Sequence, residues 1–356
     1  MEMNQKLRVG LTQGDTNGVG LETVLKAIAP EGVTELFTPV VFGNRKLVFA
    51  TANAVKGETP VKFQSVPDAA SVVDGRLNLV PVGQGEIVPQ YGVPSPESGR
   101  AAFESLEAAC EALAAGDIDV LVTAPISKEA IQSDDFHFPG HTEYLQARFA
   151  EEGEEAQMIL FNDDMRVALL TTHLPISKVA EAVKKDRIVE AVKRFDHTLR
   201  RDFACERPRI AVLGLNPHCG DGGLLGDEEL TEIRPAIETL RDAGVIVFGP
   251  YAADGFFGQG LWREFDGILA MYHDQGLAPF KTVASKEGVN YTSGLNVIRT
   301  SPDHGTAYDI AGRWEADPQS MREAIYKAID IFNARVRYDE ASANPLAIRQ
   351  QPDKKS

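Results

Sequence analysis

Three histidines share one local pattern. His173, His218 and His273 each follow an apolar run and sit among the first residues after it: ALLTT-His, GLNP-His and LAMY-His. Where such runs are neighbouring parallel strands, their ends meet at one crevice. Three neutral imidazoles with an open position make a catalytic metal site. Nitrogen donors favour zinc, cobalt, nickel or iron over magnesium. The alternative is three separate histidines, each hydrogen-bonded to backbone. Cys219, beside His218, reads as an inert thiol rather than a fourth ligand.

Acids and cations surround these positions. Asp274 follows His273 directly, and Asp254 sits in GPYAADGFF after another apolar run. Either can fix an imidazole tautomer, coordinate a metal or act as a base; either can equally be a helix cap. Lys281 (HDQGLAPFK) and Arg299 (NVIRTSPDHG) suit an anionic substrate, since Arg grips carboxylate or phosphate in a two-pronged fashion. The loop GDTNGVGLE (14–22) lacks the GxGxxG and GxxxxGK[ST] spacings and reads as a strand–helix turn. NPHCGDGGLLG (216–226) reads as a flexible loop beside a candidate ligand.

The elements that must position these residues alternate. Strand-like runs fall at 6–13, 38–43, 76–82, 119–124, 158–161, 167–172, 209–215, 245–249 and 267–272. Helical spacing marks 21–29, 98–115, 177–183, 186–201, 227–243 and 319–335. This predicts an α/β fold with a largely parallel, mixed sheet. The Pro/Gly-rich stretch 81–96 reads as a loop and a candidate lobe junction. The polar tail 342–356 reads as frayed.

Bulk properties narrow the function classes. The chain has 356 residues, with 36 Lys and Arg against 52 Asp and Glu, a formal charge of −16. That balance speaks against nucleic-acid binding. It permits a small anion in a local basic cleft, because salt screens distant charge over about 8 Å. No apolar run reaches the roughly 20 residues a membrane helix needs, so no membrane association is expected. Three well-spaced cysteines and the lack of a leader pattern fit a reduced, cytoplasmic protein.

Seven motifs in order carry a family resemblance over roughly residues 7–335: GDTNGVGLE, TAPISKEA, FPGHTE, GLNPHCGDGG, GPYAADGFF, YHDQGLAPFK and RTSPDHGTAYDIAG. With them the chain resembles the 4-hydroxythreonine-4-phosphate dehydrogenase family of vitamin B6 biosynthesis. The resemblance implies that His173, His218 and His273 hold a divalent metal, zinc first, with cobalt or magnesium as alternatives. It implies substrate contacts from His141, Thr142, Lys281, Asn290 and Arg299, and a homodimer that shares the site. It further implies NAD-linked oxidation and decarboxylation of 4-phosphooxy-L-threonine to 3-amino-2-oxopropyl phosphate. Asp274, Asp254 and Lys281 stand as the candidate bases.

A second, more distant likeness is to isopropylmalate dehydrogenases. The segment DHGTAYDIAG resembles their adenosine-binding loop and implies cofactor contacts at His304, Gly305, Thr306, Ala307, Asp309 and Ile310. A carboxylate at Asp309 would accept ribose hydroxyls and repel a 2′-phosphate, favouring NAD over NADP. Two α/β/α lobes with a cleft between them are then expected: 1–135 with 300–356, and 136–299. Departures from the family pattern are Asp15-Thr16-Asn17 in the first motif and Cys219. Relatives acting on 4-phospho-threonate or 4-phospho-erythronate keep nearly the same contacts. A metal-dependent hydrolase or phosphatase, or a non-catalytic binding protein, are the readings from other classes.

Overall fold

The computed structural model describes residues 6–55, 61–284 and 286–344. Most of the polar tail expected to fray lies outside them. Twelve strands form one continuous sheet: β1 (Arg8–Thr12), β2 (Thr38–Gly43), β3 (Gln64–Ser65), β4 (Asn78–Pro81), β5 (Val120–Val122), β6 (Gln157–Phe161), β7 (Arg166–Leu169), β8 (Ile210–Leu213), β9 (Val247–Tyr251), β10 (Gly267–Ala270), β11 (Val289–Ser293) and β12 (Arg299–Pro302). Their order across the sheet is β3-β4-β2-β1-β5-β12-β11-β6-β7-β10-β8-β9.

The expected α/β class and mostly parallel sheet are observed. Strands β3 to β12 in that order are parallel, and so are β7, β10, β8 and β9. Buried on both faces, they read as unbroken apolar runs, such as IAVL in β8 and GILA in β10, every residue of which is buried. Each such Val, Leu or Ile contributes about 1.5–3 kcal/mol by leaving water.

The centre of the sheet differs. β12/β11, β11/β6 and β6/β7 are all antiparallel. After these three reversals the strands of the second half point opposite to those of the first. The carboxyl ends of β5 and of β7 therefore lie at opposite edges, with the β12-β11-β6 strip between them.

Helices cover the sheet where periodicity predicts them, with four instructive differences. The 81–96 loop joins β4 to the helix Pro96–Ala115, and both belong to the first half of the sheet, so it is not a lobe junction. The helix expected over 227–243 starts with a π-turn, Glu229–Ile233, before the α-helix Arg234–Asp242. His273 is the first residue of a helix, His273–Ala284, rather than a loop residue. A helix His141–Phe149, unmarked by strong periodicity, begins at the GHTE motif.

Candidate active site

The antiparallel centre builds the floor. On β11 and β12, side chains two residues apart share a face. Asn290 stands opposite Ser301, and Thr292 opposite Arg299. Asn290, Arg299 and Ser301 line a cavity of about 340 Å³, together with Thr123, Lys128, His141, Thr142, Glu143, His173, His273, Lys281, Asp303, His304 and Gly305.

Arg299 dominates this cavity. It is 2 % exposed, and its hydrogen-bond partners are hydroxyls rather than a carboxylate. Nε and Nη2 donate to Thr123 Oγ1 at 2.9 and 2.6 Å, and Nη1 donates to Thr292 Oγ1 at 3.2 Å. Desolvation lowers its pKa to about 9. A buried cation without a counter-ion is costly and calls for an anion from outside.

His141 stands close by, with a buried Nε2 that has no partner. Desolvation, then the charges of Arg299 and Lys128, hold its pKa well below the ordinary value, so the ring stays neutral. Asn290 Oδ1 is likewise buried and unpartnered. Lys281 donates to Asp303 Oδ1 at 2.9 Å. Burial raises the Asp303 pKa against the pull of that ammonium.

Two of the three candidate metal ligands line the same cavity. His173 Nδ1 lies 2.8 Å from Glu143 Oε1, and His273 Nδ1 lies 2.6 Å from Asp274 Oδ1. Burial pushes the Glu143 carboxyl up, but the His173 hydrogen bond and the charges of His173 and Lys128 hold it below its usual range. With Nδ1 donating to its carboxylate, an imidazole presents Nε2 as a lone-pair donor, the arrangement of a metal-ligating histidine braced from behind. Lys128 Nζ lies 3.1 Å from His173 Nε2.

His218 does not join them. It is exposed, on the turn Pro217–Gly223, outside the lining of this cavity. Among the described residues no group of three His, Cys, Asp or Glu side chains could hold an ion. The three strand ends therefore do not bring these histidines to one crevice within a single chain. β7, β10 and β8 are adjacent and parallel as expected, but the turn after β8 carries its histidine elsewhere. One chain supplies two braced imidazoles, which fit a metal as an incomplete donor set.

The turn is itself unusual. His218, Cys219, Gly220, Asp221 and Gly222 are left-handed in succession, with φ of 52, 52, 77, 44 and 68°. For the three that are not glycine this costs roughly 1–2 kcal/mol each.

A second cavity, of about 240 Å³, adjoins the first. Val19, Thr23, Lys286, Gly288, Ala307, Ile310, Ala316, Asp317 and Ser320 line it, and Asp303 and His304 line both cavities. Val19 N donates to Thr306 O at 3.0 Å, which joins the GDTNGVG loop to the DHGTAYDIAG loop. Of the expected cofactor contacts, His304, Ala307 and Ile310 face this cavity and Gly305 the first. Thr306 contributes its carbonyl to the loop junction. Asp309 is exposed and lines neither; the acids in the wall of the second cavity are Asp303 and Asp317, the latter paired with Lys286 at 2.8 Å.

Asp254 lies exposed in the first turn of the helix Ala253–Gly258, whose N-cap is Ala252 without a side-chain cap hydrogen bond, and it lines neither cavity. Asp274 is exposed and reaches the site through His273. Of the three candidate bases, Lys281 is the one that lines the cavity. Lys128, Glu143 and Asp303 were not singled out, although TAPISKEA and FPGHTE contain the first two. The signal was present in the motif: Glu143 follows two expected contacts directly.

Comparison with known proteins places the chain in a family. The family described as pyridoxal phosphate biosynthetic protein PdxA matches residues 35–328. The 4-hydroxythreonine-4-phosphate dehydrogenase of Bacteroides thetaiotaomicron is 50 % identical over 97 % of this chain and 94 % of its own length. A putative D-threonate 4-phosphate dehydrogenase of Oceanobacillus iheyensis is 37 % identical over 92 % of this chain and 99 % of its own. Among solved structures, the 4-hydroxythreonine-4-phosphate dehydrogenase of Klebsiella pneumoniae superposes with a TM-score of 0.78 at 32 % identity, covering 93 % of this chain and 99 % of that one. An isocitrate dehydrogenase of Methylococcus capsulatus shares the fold alone, with a TM-score of 0.50 at 12 % identity over 95 % of this chain and 89 % of its own. The chain belongs to the PdxA family of pyridoxal phosphate biosynthetic proteins, and as a member of that dehydrogenase family it is an oxidoreductase.

Proposed function

We propose that the protein oxidises and decarboxylates 4-phosphooxy-L-threonine to 3-amino-2-oxopropyl phosphate, using NAD and a divalent metal, zinc first. The observation that carries this reading is the common wall at Asp303 and His304: a cation-lined cavity with two braced imidazoles opens beside a cavity lined by Val19, Ala307, Ile310 and Ala316. A phosphorylated acid suits the first and an adenosine the second. Related dehydrogenases of 4-phosphooxy-threonine and of D-threonate phosphate support the substrate class.

Each residue then has a task. Arg299, fixed by Thr123 and Thr292, takes the phosphate, with His141 and Thr142 completing its donors. Asn290 and Lys281 orient the rest of the molecule. Lys128 donates to a substrate oxygen beside His173. His173 and His273 hold the metal with His218 of a second copy of the chain. A divalent ion held there would supply Lewis-acid polarisation of the substrate's oxygens, and a nicotinamide in the adjoining cavity would supply the hydride acceptor, with Lys281 beside the substrate placed to take the hydroxyl proton.

The shared site is also supported by what surrounds the ligands. Leu174 and Ile176 follow His173, and Leu224, Leu225 and Leu230 follow His218; all five are exposed, Ile176 at 72 % and Leu224 at 78 %. Apolar side chains clustered around an incomplete donor set suit cover by a second copy. The lobe boundaries at 135/136 and 299/300 are proposed with this reading; the second falls at β12, where the antiparallel centre begins.

The test is formation of reduced nicotinamide by metal-loaded protein, with 4-phosphooxy-L-threonine compared against the threonate and erythronate phosphates. Turnover of the amino acid, abolished by a chelator, supports the reading. Preference for threonate phosphate would move the substrate within the family. Phosphate release without NAD would replace the reading with a metal-dependent phosphatase.

A further inference from the structure

We infer that Glu229 is a positioning residue for His218: its buried carboxylate locks the left-handed turn that presents this imidazole to a neighbouring subunit. The inference rests on the proposed role of His218 as a ligand completed across two chains.

Glu229 is fully buried, and its hydrogen-bond partners come from the loop rather than from a cation. Oε1 accepts the N–H groups of Leu215 and Asn216, both at 2.7 Å, and Oε2 accepts Asn216 Nδ2 at 2.9 Å. The loop is folded directly against it. A Cβ on Gly220 would lie 2.9 Å from Oε2, and one on Gly214 would lie 3.1 Å from Oε1. A Cβ would meet the turn still sooner, Gly226 O at 2.5 Å from Gly220 and Cys219 Sγ at 2.8 Å from Gly214, so glycine at both places lets the turn and the carboxylate pack together.

Glu229 opens the π-turn Glu229–Ile233. One extra residue in a helical repeat shifts the phase of the side chains before it by about 100° relative to those after it. That shift separates Glu229, aimed at the loop, from the apolar face of Arg234–Asp242. A second clamp acts from the other side. Gln275 accepts Met271 N at 2.7 Å and donates to Gly214 O at 2.6 Å, tying the end of β8 to the end of β10, two residues from His273.

Two costly features therefore meet: a buried carboxylate without a cation and three left-handed non-glycine residues. Together they hold the segment carrying His218 in one conformation, as strained backbone at a functional position is held by its surroundings.

The experiment is cobalt affinity by chelator competition on the full-length protein, as a double-mutant cycle of Glu229→Gln and His218→Ala. Residues supporting a ligand typically change affinity about 10–100-fold. Glu229→Gln should weaken cobalt binding at least about tenfold in that range, and should add nothing in the His218→Ala background. Asn216→Ala, which removes the outer end of the clamp and keeps the buried carboxylate, should weaken binding in the same direction and covers the case in which Glu229→Gln does not fold. Unchanged affinity in Glu229→Gln or in Asn216→Ala, or an equal loss with and without His218, would overturn the inference alone. Retention of cobalt by His218→Ala would overturn the ligand assignment, and the inference with it.

Discussion

Thr292 and Arg299 stand directly opposite one another on β11 and β12, and the guanidinium donates across the pair to the threonine hydroxyl at 3.2 Å. This pairing fixes a buried cation by neutral oxygens on two sides, since Thr123 holds its other face at the end of β5. Among the described residues no carboxylate hydrogen-bonds the guanidinium, which suits it to an anion from outside.

Arg299→Ala should therefore act on binding rather than folding. Losing two or more charge-assisted hydrogen bonds, each worth about 1.5–3 kcal/mol, raises KM for a phosphorylated substrate at least about a hundredfold. Arg299→Lys should recover only part, because an ammonium cannot reach both threonines and the ligand in one plane. Steady-state kinetics with a melting curve checks this; an unchanged KM would place the phosphate elsewhere.

Cofactor choice should follow the cavity wall. Asp317→Asn frees Lys286 from its 2.8 Å ion pair and should raise use of NADP relative to NAD. Asp309→Asn, at an exposed position outside the lining, should leave the ratio unchanged. Ile310→Asp should raise KM for NAD more than about tenfold by placing charge against an apolar ligand face. A ratio that follows Asp309 instead would restore the sequence-based assignment.

His141 gives a pH dependence with a definite sign. Its folded pKa is depressed by desolvation, so between that value and the ordinary 6.5 the unfolded chain binds the extra proton. Stability is then full above about pH 6.5 and falls as the pH drops toward the folded pKa, at most about 1.4 kcal/mol per pH unit. Denaturation of wild type and His141→Gln from pH 7.5 to 5 should show the shallower decline in the variant. Parallel curves would mean that His141 titrates normally.

The outline of the fold was legible because strands buried on both faces must be apolar throughout. VGLT, TPVVFG, IAVL and GILA announce themselves. β11 and β12 did not, and for the same physical reason that they matter. Their cavity face carries Asn290, Thr292, Arg299 and Ser301, so hydrophobic periodicity is absent where the substrate site is built. The helix at His141 was hidden likewise by HTE, whose polar residues serve the cavity.

The site was legible as residue types and motifs, less so as geometry. Strand-end position singled out His173 and His273, which share a cavity. It gave the same weight to His218, because the left-handed run over 218–222 has no signature in hydrophobic periodicity. Asp309 stood out as the cofactor acid from its place in the motif, whereas the acids that line the second cavity are Asp303 and Asp317. Lys128 and Glu143 were within quoted motifs, but only folding brings them to His173.

The account turns on a metal site made by two chains, and mixed dimers test it most directly. His173→Ala and His218→Ala subunits, each inactive alone, should regain activity when unfolded together and refolded, or when co-expressed. Half of the dimers would then be mixed, each with one intact site, restoring about a quarter of wild-type turnover and metal content. No recovery from well-folded mixed dimers would contradict the shared site and place all the ligands in one chain.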